Sequence, residues 1–454
     1  MSMQFSEELI YSKGISAHGN YKYLRIVPLG SGGQNPVLSL TSTYQTQFEL
    51  PNNVINLSKS KLCFDVNIGT SGGGVCNSIH GNALSLIDRI TLTSRSGTIL
   101  ADIPNCHIFG NMVSAVNTKL SDLISRTPIN TATMTMGGHA TVATALGYSQ
   151  LTPVSDIVRC NGTANYQVTA AGGLLAFTPN TEPVVFYTGV ADKSNSLTYQ
   201  IELSAFKDTL MELNKNIYFD NNLLLTINWN SGTKFSFTTT TTASLVGATA
   251  QLIIPSLSNL YLYTACETDP TIISQLVSSV ASGEFSMIVP FVNGQKYATS
   301  ASSGASMQQR FNSTNGSTLL RTYFSIFVSG ETDLGAYTHT DANITSYNTM
   351  MDGLRLQDYT LAVADGTAWL TNERNFKNSC IQSIQQFKQN FVHIDNWCGA
   401  SPCENDDSLL NGLSLDSDRT WSVTTTTTNA AYKYYLFYTT QKRLVISKGS
   451  LTLM

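Results

Sequence analysis

What most constrains this chain is the way its apolar residues are distributed. Most of it is a succession of short runs dominated by Thr, Val, Ile, Tyr and Phe, separated by breaks rich in Gly, Asn and Ser. Such runs suit pleated, half-buried strands and leave little length for helices. Leu62–Ile68 alternates apolar and polar residues, which places one set on each face of a strand. Leu86–Leu92, Leu223–Trp229, Leu260–Thr264, Phe285–Phe291, Thr322–Val328, Tyr432–Tyr438 and Arg443–Ser447 are further expected strands. Leu86–Leu92 leads through Thr93-Ser94-Arg95-Ser96-Gly97 into Thr98–Ala101, and the Ser-Gly step predicts a hairpin.

Four short helices are expected, each with an apolar stripe that reads as core-facing. They are Phe109–Ile124, Ser204–Leu213 with Ser204 as N-cap, a helix opened by Asp269-Pro270, and Asn372–Gln389. In the third, Asp269 caps and Pro270 takes the first helical position, ahead of Ile272, Ile273, Leu276, Val277 and Val280. The order of strands, hairpin, helix, polar loops and returning strands occurs twice. With 454 residues the chain exceeds what one core organises. Two β-sandwiches of roughly 200 residues each, with a seam near Thr268, fit that length. Gly69–Gly74, Ser300–Ser306, Thr238–Thr242 and Thr424–Thr428 are low-complexity stretches, the Thr runs fitting an exposed strand as well as a loop. Thr131–Gly173 is a long polar connection of the kind that is usually functional or interfacial.

Charge narrows the function classes. Charged residues make up 12% of the chain, about half of what soluble domains carry. Net charge is −4 and no Lys/Arg run exists, so strong non-specific binding to nucleic-acid phosphates is not expected. The acidic start, the Ser at position 2 and the lack of an 18-residue apolar run give no sign of a secretory signal, a myristoylation site or a membrane span. Synthesis in a cytoplasm or nucleus is expected. The eight cysteines are scattered and read as reduced thiols. Asn-x-Ser/Thr triplets such as Asn161-Gly162-Thr163 carry little weight in so Thr- and Ser-rich a chain.

No catalytic signature emerges. Gly69-Thr70-Ser71-Gly72-Gly73 matches a nucleophile elbow, but the residues after it form no helix, so a hairpin loop is the better reading. No phosphate-binding loop or H-E-x-x-H motif exists. His339–Asp341 and His393–Asp395 place a His and a carboxylate two residues apart, on one face if in a strand, without a nucleophile in view. His393, Cys398 and Cys403 lack zinc spacing. Glu404, Asp406, Asp407, Asp416 and Asp418 read as solvated loop carboxylates rather than a cation loop. No catalytic, cofactor-binding or metal-binding residue is therefore expected, and no cofactor.

Several blocks carry a resemblance. They are Phe48-Glu49-Leu50-Pro51 leading into Leu57–Phe64, Leu86-Ile87-Asp88-Arg89-Ile90 with its hairpin to Ala101-Asp102-Ile103, and Tyr218–Asn222 with the strand to Asn230. The second half adds Met351–Leu356, Phe391–Trp397 and Asn411–Asp416. From about Pro36 onward the chain resembles the double jelly-roll major capsid proteins of the adenovirus and tectivirus lineage, closest in look to those of polinton-like viruses and virophages. Residues 131–198 and the segment up to Gly30 have no counterpart in that pattern.

The resemblance implies an all-β chain of two consecutive eight-stranded jelly-roll sandwiches with a few short helices in the connections. The expected division is an N-terminal arm over 1–30, a first roll over 31–267 and a second over 268–454. It further implies a structural virion protein without an active site. Three copies would form a homotrimer of pseudo-hexagonal outline, and such capsomers would tile an icosahedral shell around a double-stranded DNA genome. The implied partners are itself, neighbouring capsomers, and penton and minor capsid proteins. Low charge fits flanks buried against neighbours, and no basic arm is present to grip a genome. Residues 131–198 and 300–318 are the expected outward loops, and 1–30 the inward arm. Whether that arm meets a membrane is not fixed by the sequence. Two other classes fit the composition: a β-sandwich spike or adhesin that binds glycans, and a jelly-roll carbohydrate enzyme, which needs two carboxylates across a cleft.

Overall fold

A computed structural model of the chain describes residues 20–30, 37–67, 75–80, 83–117, 165–167, 176–178, 184–186, 196–232, 236–240, 249–250, 255–283, 285–298, 304–328, 344–363, 365–375, 391–398, 412–427 and 432–454. Among them, strands fall into six sheets, four of which make two sandwiches. In the first sandwich, one sheet runs Tyr21–Ile26, Ser256–Glu267, Val54–Asn67, Ser196–Glu202. The facing sheet runs Tyr44–Leu50, Leu223–Trp229, Ile87–Ser94, Ile99–Ile103. In the second sandwich, one sheet runs Phe285–Ala298, Tyr432–Ser447, Thr318–Val328, His393–Asn396. Its partner runs Gly304–Phe311, Arg419–Thr427, Ile344–Met351, Leu354–Arg355. Short strands such as Asn216–Tyr218 and Ser450–Leu453 extend these paths.

Numbered by their place in the chain, the strands of all four sheets lie in the order first, fourth, second, third. The chain also alternates between the two sheets of each sandwich in the same sequence of visits. Each sandwich is thus an eight-stranded antiparallel jelly roll, and the repetition expected from the sequence is a repetition of topology. The helices repeat too: α1 (Cys106–Asn117) and α3 (Thr367–Asn375) each follow the third strand of the facing sheet, while α2 (Pro270–Ser282) joins the rolls.

Four expectations need correction. Residues 1–30 are not all arm, because Tyr21–Ile26 pairs along its whole length with Leu262–Glu267 as the first strand of the first roll. Its basic residues Lys22 and Arg25 disguise it, yet Arg25 sits over the Tyr261 ring at 3.5 Å. Ser204–Leu213 is not one helix but two 3-10 turns, Leu203–Ala205 and Leu210–Glu212. Asp208 between them takes a left-handed φ of 57°, which no continuing helix allows. The helix expected to begin at Asn372 begins at Thr367, and residues 376–390 lie outside the described residues. Similarly α1 starts at Cys106 rather than Phe109, and 118–124 lie outside. The helix at Asp269-Pro270 forms as read, with Asp269 accepting from the Thr271 amide at 2.8 Å.

Alternation builds the first core. Leu62, Phe64 and Val66 point inward while Lys61, Cys63 and Asp65 are half-exposed. Phe64 meets Trp229 of the opposite sheet edge to face at 5.1 Å, and the Trp229 Nε1–H donates to Thr46 Oγ1 at 2.8 Å. In the second core Phe324 packs on Trp421 and Tyr434, both at 6.0 Å. Burying rings of this size supplies about 2–3 kcal/mol each, which is where such charge-poor sheets gain their stability. Among the described residues no helix is long and apolar enough to cross a membrane.

Candidate functional site

The strand Tyr432–Ser447 has apolar or aromatic residues at consecutive positions from Tyr434 to Tyr438, all buried. Continuous apolar sequence marks a strand covered on both faces. Tyr434, Leu436 and Tyr438 join the core of the second roll. Tyr435 and Phe437 join the core of the first. Phe109 of α1 packs against Phe437 at 4.9 Å and against Tyr323 at 5.4 Å. Gly294 makes room for this contact, since a Cβ there would stand 2.5 Å from the Phe437 ring and 3.2 Å from Pro104. The two rolls are therefore fused along one apolar seam.

A charged cluster sits in that seam. Asp208 is 2% exposed and Arg321 4%. Asp208 Oδ1 accepts from Arg321 Nη1 at 2.5 Å; Oδ2 accepts from Tyr323 Oη at 2.6 Å and Thr439 Oγ1 at 2.9 Å. The first roll supplies the carboxylate and the second all three donors. The loop is organised to present it: Glu212 accepts from the Asp208 amide and from Lys207, each at 2.8 Å. Burial is the largest single influence and works against the Arg321 charge, but the negative groups around it, led by the Asp208 carboxylate, together outweigh it and hold the guanidinium pKa above its ordinary value. Burial, and then the Asp208 charge, push the Tyr323 hydroxyl well above the usual tyrosine range, so it stays a donor.

The His393–Asp395 pair forms as its spacing predicts, with Nε2 and Oδ1 3.1 Å apart on one strand face. Tyr347 Oη lies 2.9 Å from Nδ1, and Trp421 Nε1 donates to Asp395 Oδ2 at 2.9 Å. Burial, then the Asp395 charge, raise the Tyr347 pKa far above 10.0. His393 has no exposed surface, so this relay is enclosed within the second roll. It ties three strands of the second roll together from inside.

Other flagged residues are dispersed. Asp416 accepts from Ser414 at 2.8 Å, and Asp418 pairs with Arg310. Cys63, Cys106, Cys266 and Cys398 are free thiols, and burial raises the Cys63 pKa to about 11. Among the described residues no cluster of His, Cys, Asp or Glu is arranged to hold a metal ion. Gly69–Gly73, His339, Asp341, Cys403, Glu404, Asp406 and Asp407 lie outside the described residues. Nothing in the sequence singled out Asp208 or Arg321, since their meeting depends on a separation of 113 residues.

A further sheet joins Val184–Phe186, Val75–His80, Ser236–Thr240 and Thr249–Ala250. It is built from three separate connections of the first roll. Those connections depart from Asn67 and return at Ser196 and Ser256, which pair at one end of the roll. The sheet therefore crowns that end. Tyr21 pairs with Glu267 at the opposite end, where α2 begins. Part of the Thr238–Thr242 run and of the unplaced stretch 131–198 serves in the crown.

Neither a protein-family model nor a curated protein matches the sequence. Solved structures do match in fold. The Faustovirus major capsid protein superposes with a TM-score of 0.55 at 10% identity, over 95% of this chain and 91% of its own. For a chain of the Sputnik virophage structure the values are 0.54 and 13%, over 96% and 89%. The mavirus major capsid protein gives 0.51 and 11%, over 95% and 90%. At such identity the likeness is one of architecture, and it extends over nearly the whole chain. This chain has the double jelly-roll fold of viral major capsid proteins.

Proposed function

We propose that this chain is a viral major capsid protein, a structural subunit rather than an enzyme. The observation that carries the reading is the fused pair of rolls with one topology. Three copies of such a chain present six similar rolls around a three-fold axis, which gives a trimer a near-hexagonal outline suited to tiling. The first roll runs from Tyr21 to Glu267 and the second from Thr268 to the end of the sequence. In this reading the capsomers tile an icosahedral shell around double-stranded DNA, and the chain resides in the virion. Its neighbours are further capsomers, penton proteins and minor capsid proteins. The crown of the first roll faces outward and the end bearing α2 faces inward. With a net charge of −4 and no basic run, the chain packages its genome without a strong grip on it.

Light scattering of the purified chain tests the reading. A mass of three times 49.3 kDa that persists on dilution is expected, followed by shells or hexagonal arrays in electron micrographs. A stable monomer would refute it. Tight DNA retention on filters at low salt would refute the part concerning the genome.

A further inference from the structure

Helix α2 is amphipathic but poorly covered. It lies against Asn216–Tyr218, Val54–Asn67 and Tyr432–Ser447, and so touches both rolls. Yet Ile272, Ile273, Leu276 and Val277 are each only half-buried, and Val280 alone is fully buried. Aliphatic residues at this spacing form a stripe that normally faces a core. Here four of the five keep contact with water.

Asn20 lies beside the start of that helix. Asn20 O accepts from the Thr268 amide at 2.8 Å and from its hydroxyl at 2.5 Å, directly before the helix cap Asp269. Because Tyr21–Ile26 runs antiparallel to Ser256–Glu267, Asn20, to which residues 1–19 are joined, lies at the end of the roll where α2 starts. Residues 1–19 contain Phe5, Leu9, Ile10 and Tyr11, the densest apolar group in that segment. Eight residues lie between Tyr11 and Asn20, and the connection spans up to about 30 Å when extended. Helix α2, with 13 residues, is about 20 Å long, so every position on the stripe is within reach. The tether also makes the encounter intramolecular, at an effective concentration that a free partner would have to match.

We propose that the exposed face of α2 is the docking site for Phe5–Tyr11 of the same chain. The segment covers Ile272, Leu276 and their neighbours and fastens the N-terminus across the junction of the two rolls. This does not depend on the capsid reading.

A photo-crosslinking residue at Leu276 in the full-length chain tests it. The expected product runs at the mass of one chain, carries a link between Leu276 and residues 5–11 by mass spectrometry, and disappears in F5S/L9S/I10S. A link to a second copy, to another protein, or to no residue before Asn20 would overturn the proposal. Hydrogen exchange provides a check without any substitution on α2. Deleting residues 2–14 should speed exchange of the α2 amides by about tenfold and leave Leu223–Trp229 unchanged. Identical α2 exchange in the two chains would equally overturn it.

Discussion

Replacing Asp208 with alanine should destabilise the protein by about 3–5 kcal/mol, because it removes one partner of a buried pair and strands the other. With Arg321 only 4% exposed, water cannot take over as its partner. The same change leaves the hydroxyls of Tyr323 and Thr439 without their acceptor, at about 1–3 kcal/mol for each that finds no substitute. The upper end of the range is therefore expected. D208N should come close to D208A, since it keeps the shape but not the charge. The decisive variant is D208A/R321M, which removes the stranded charge along with its partner. It should be more stable than D208A alone, with a coupling energy of at least about 2 kcal/mol. Denaturant unfolding at fixed protein concentration measures this, with Trp229 and Trp421 as buried fluorescent reporters in the first and second cores. A loss below about 1 kcal/mol for D208A, the range of solvent-exposed pairs, would refute the reasoning. So would a double variant whose loss equals the sum of the two single losses.

Alkali should weaken the fold through Tyr323 and Tyr347, whose pKa values are raised far above 10.0. Their contribution is complete below the unfolded value and drains away as pH climbs toward the folded one, by on the order of 1 kcal/mol per tyrosine by pH 11; melting temperatures that stay level across that window would contradict it. Asp395→Ala should cost about 2–4 kcal/mol by leaving His393 Nε2 and the Trp421 indole without their acceptor in the core, whereas D395N keeps an acceptor for Trp421 and should lose less; equal losses by calorimetry would count against the relay. Asp269→Ala removes the cap of α2 and should lower stability by about 1 kcal/mol, and an unchanged midpoint of unfolding would show the cap to be redundant.

Local patterning made much of this fold legible. Leu223–Trp229 is a strand over the expected residues, because its inward and outward positions contrast. The cap of α2 and the His393–Asp395 pair depend only on neighbours in sequence. What resisted reading depends on partners far away. The strand Tyr432–Ser447 read as two pieces because Thr439, Thr440 and Gln441 look like a polar break. In the fold both threonines are buried, with their hydroxyls bound to Asp208 Oδ2 and to the Asn315 carbonyl. The stripe of Ser204–Leu213 suggested one helix, and only Arg321, a distant residue, explains why Asp208 interrupts it. The crown escaped notice because three separate connections must meet before any of them has a partner.

The strand Tyr432–Ser447 has one further consequence, which concerns time. Apart from Ser450–Leu453, every described strand of both rolls leaves the ribosome before it. Until it arrives, Phe109 lacks Phe437 and the second roll lacks the centre of its sheet. From the emergence of Val328 until Tyr432–Ser447 follows, the nascent protein thus carries a long unpaired groove beside Phe285–Ala298 and Thr318–Val328 and a bare aromatic patch, a condition that invites aggregation and chaperone binding. Its last act of folding completes both cores in one step.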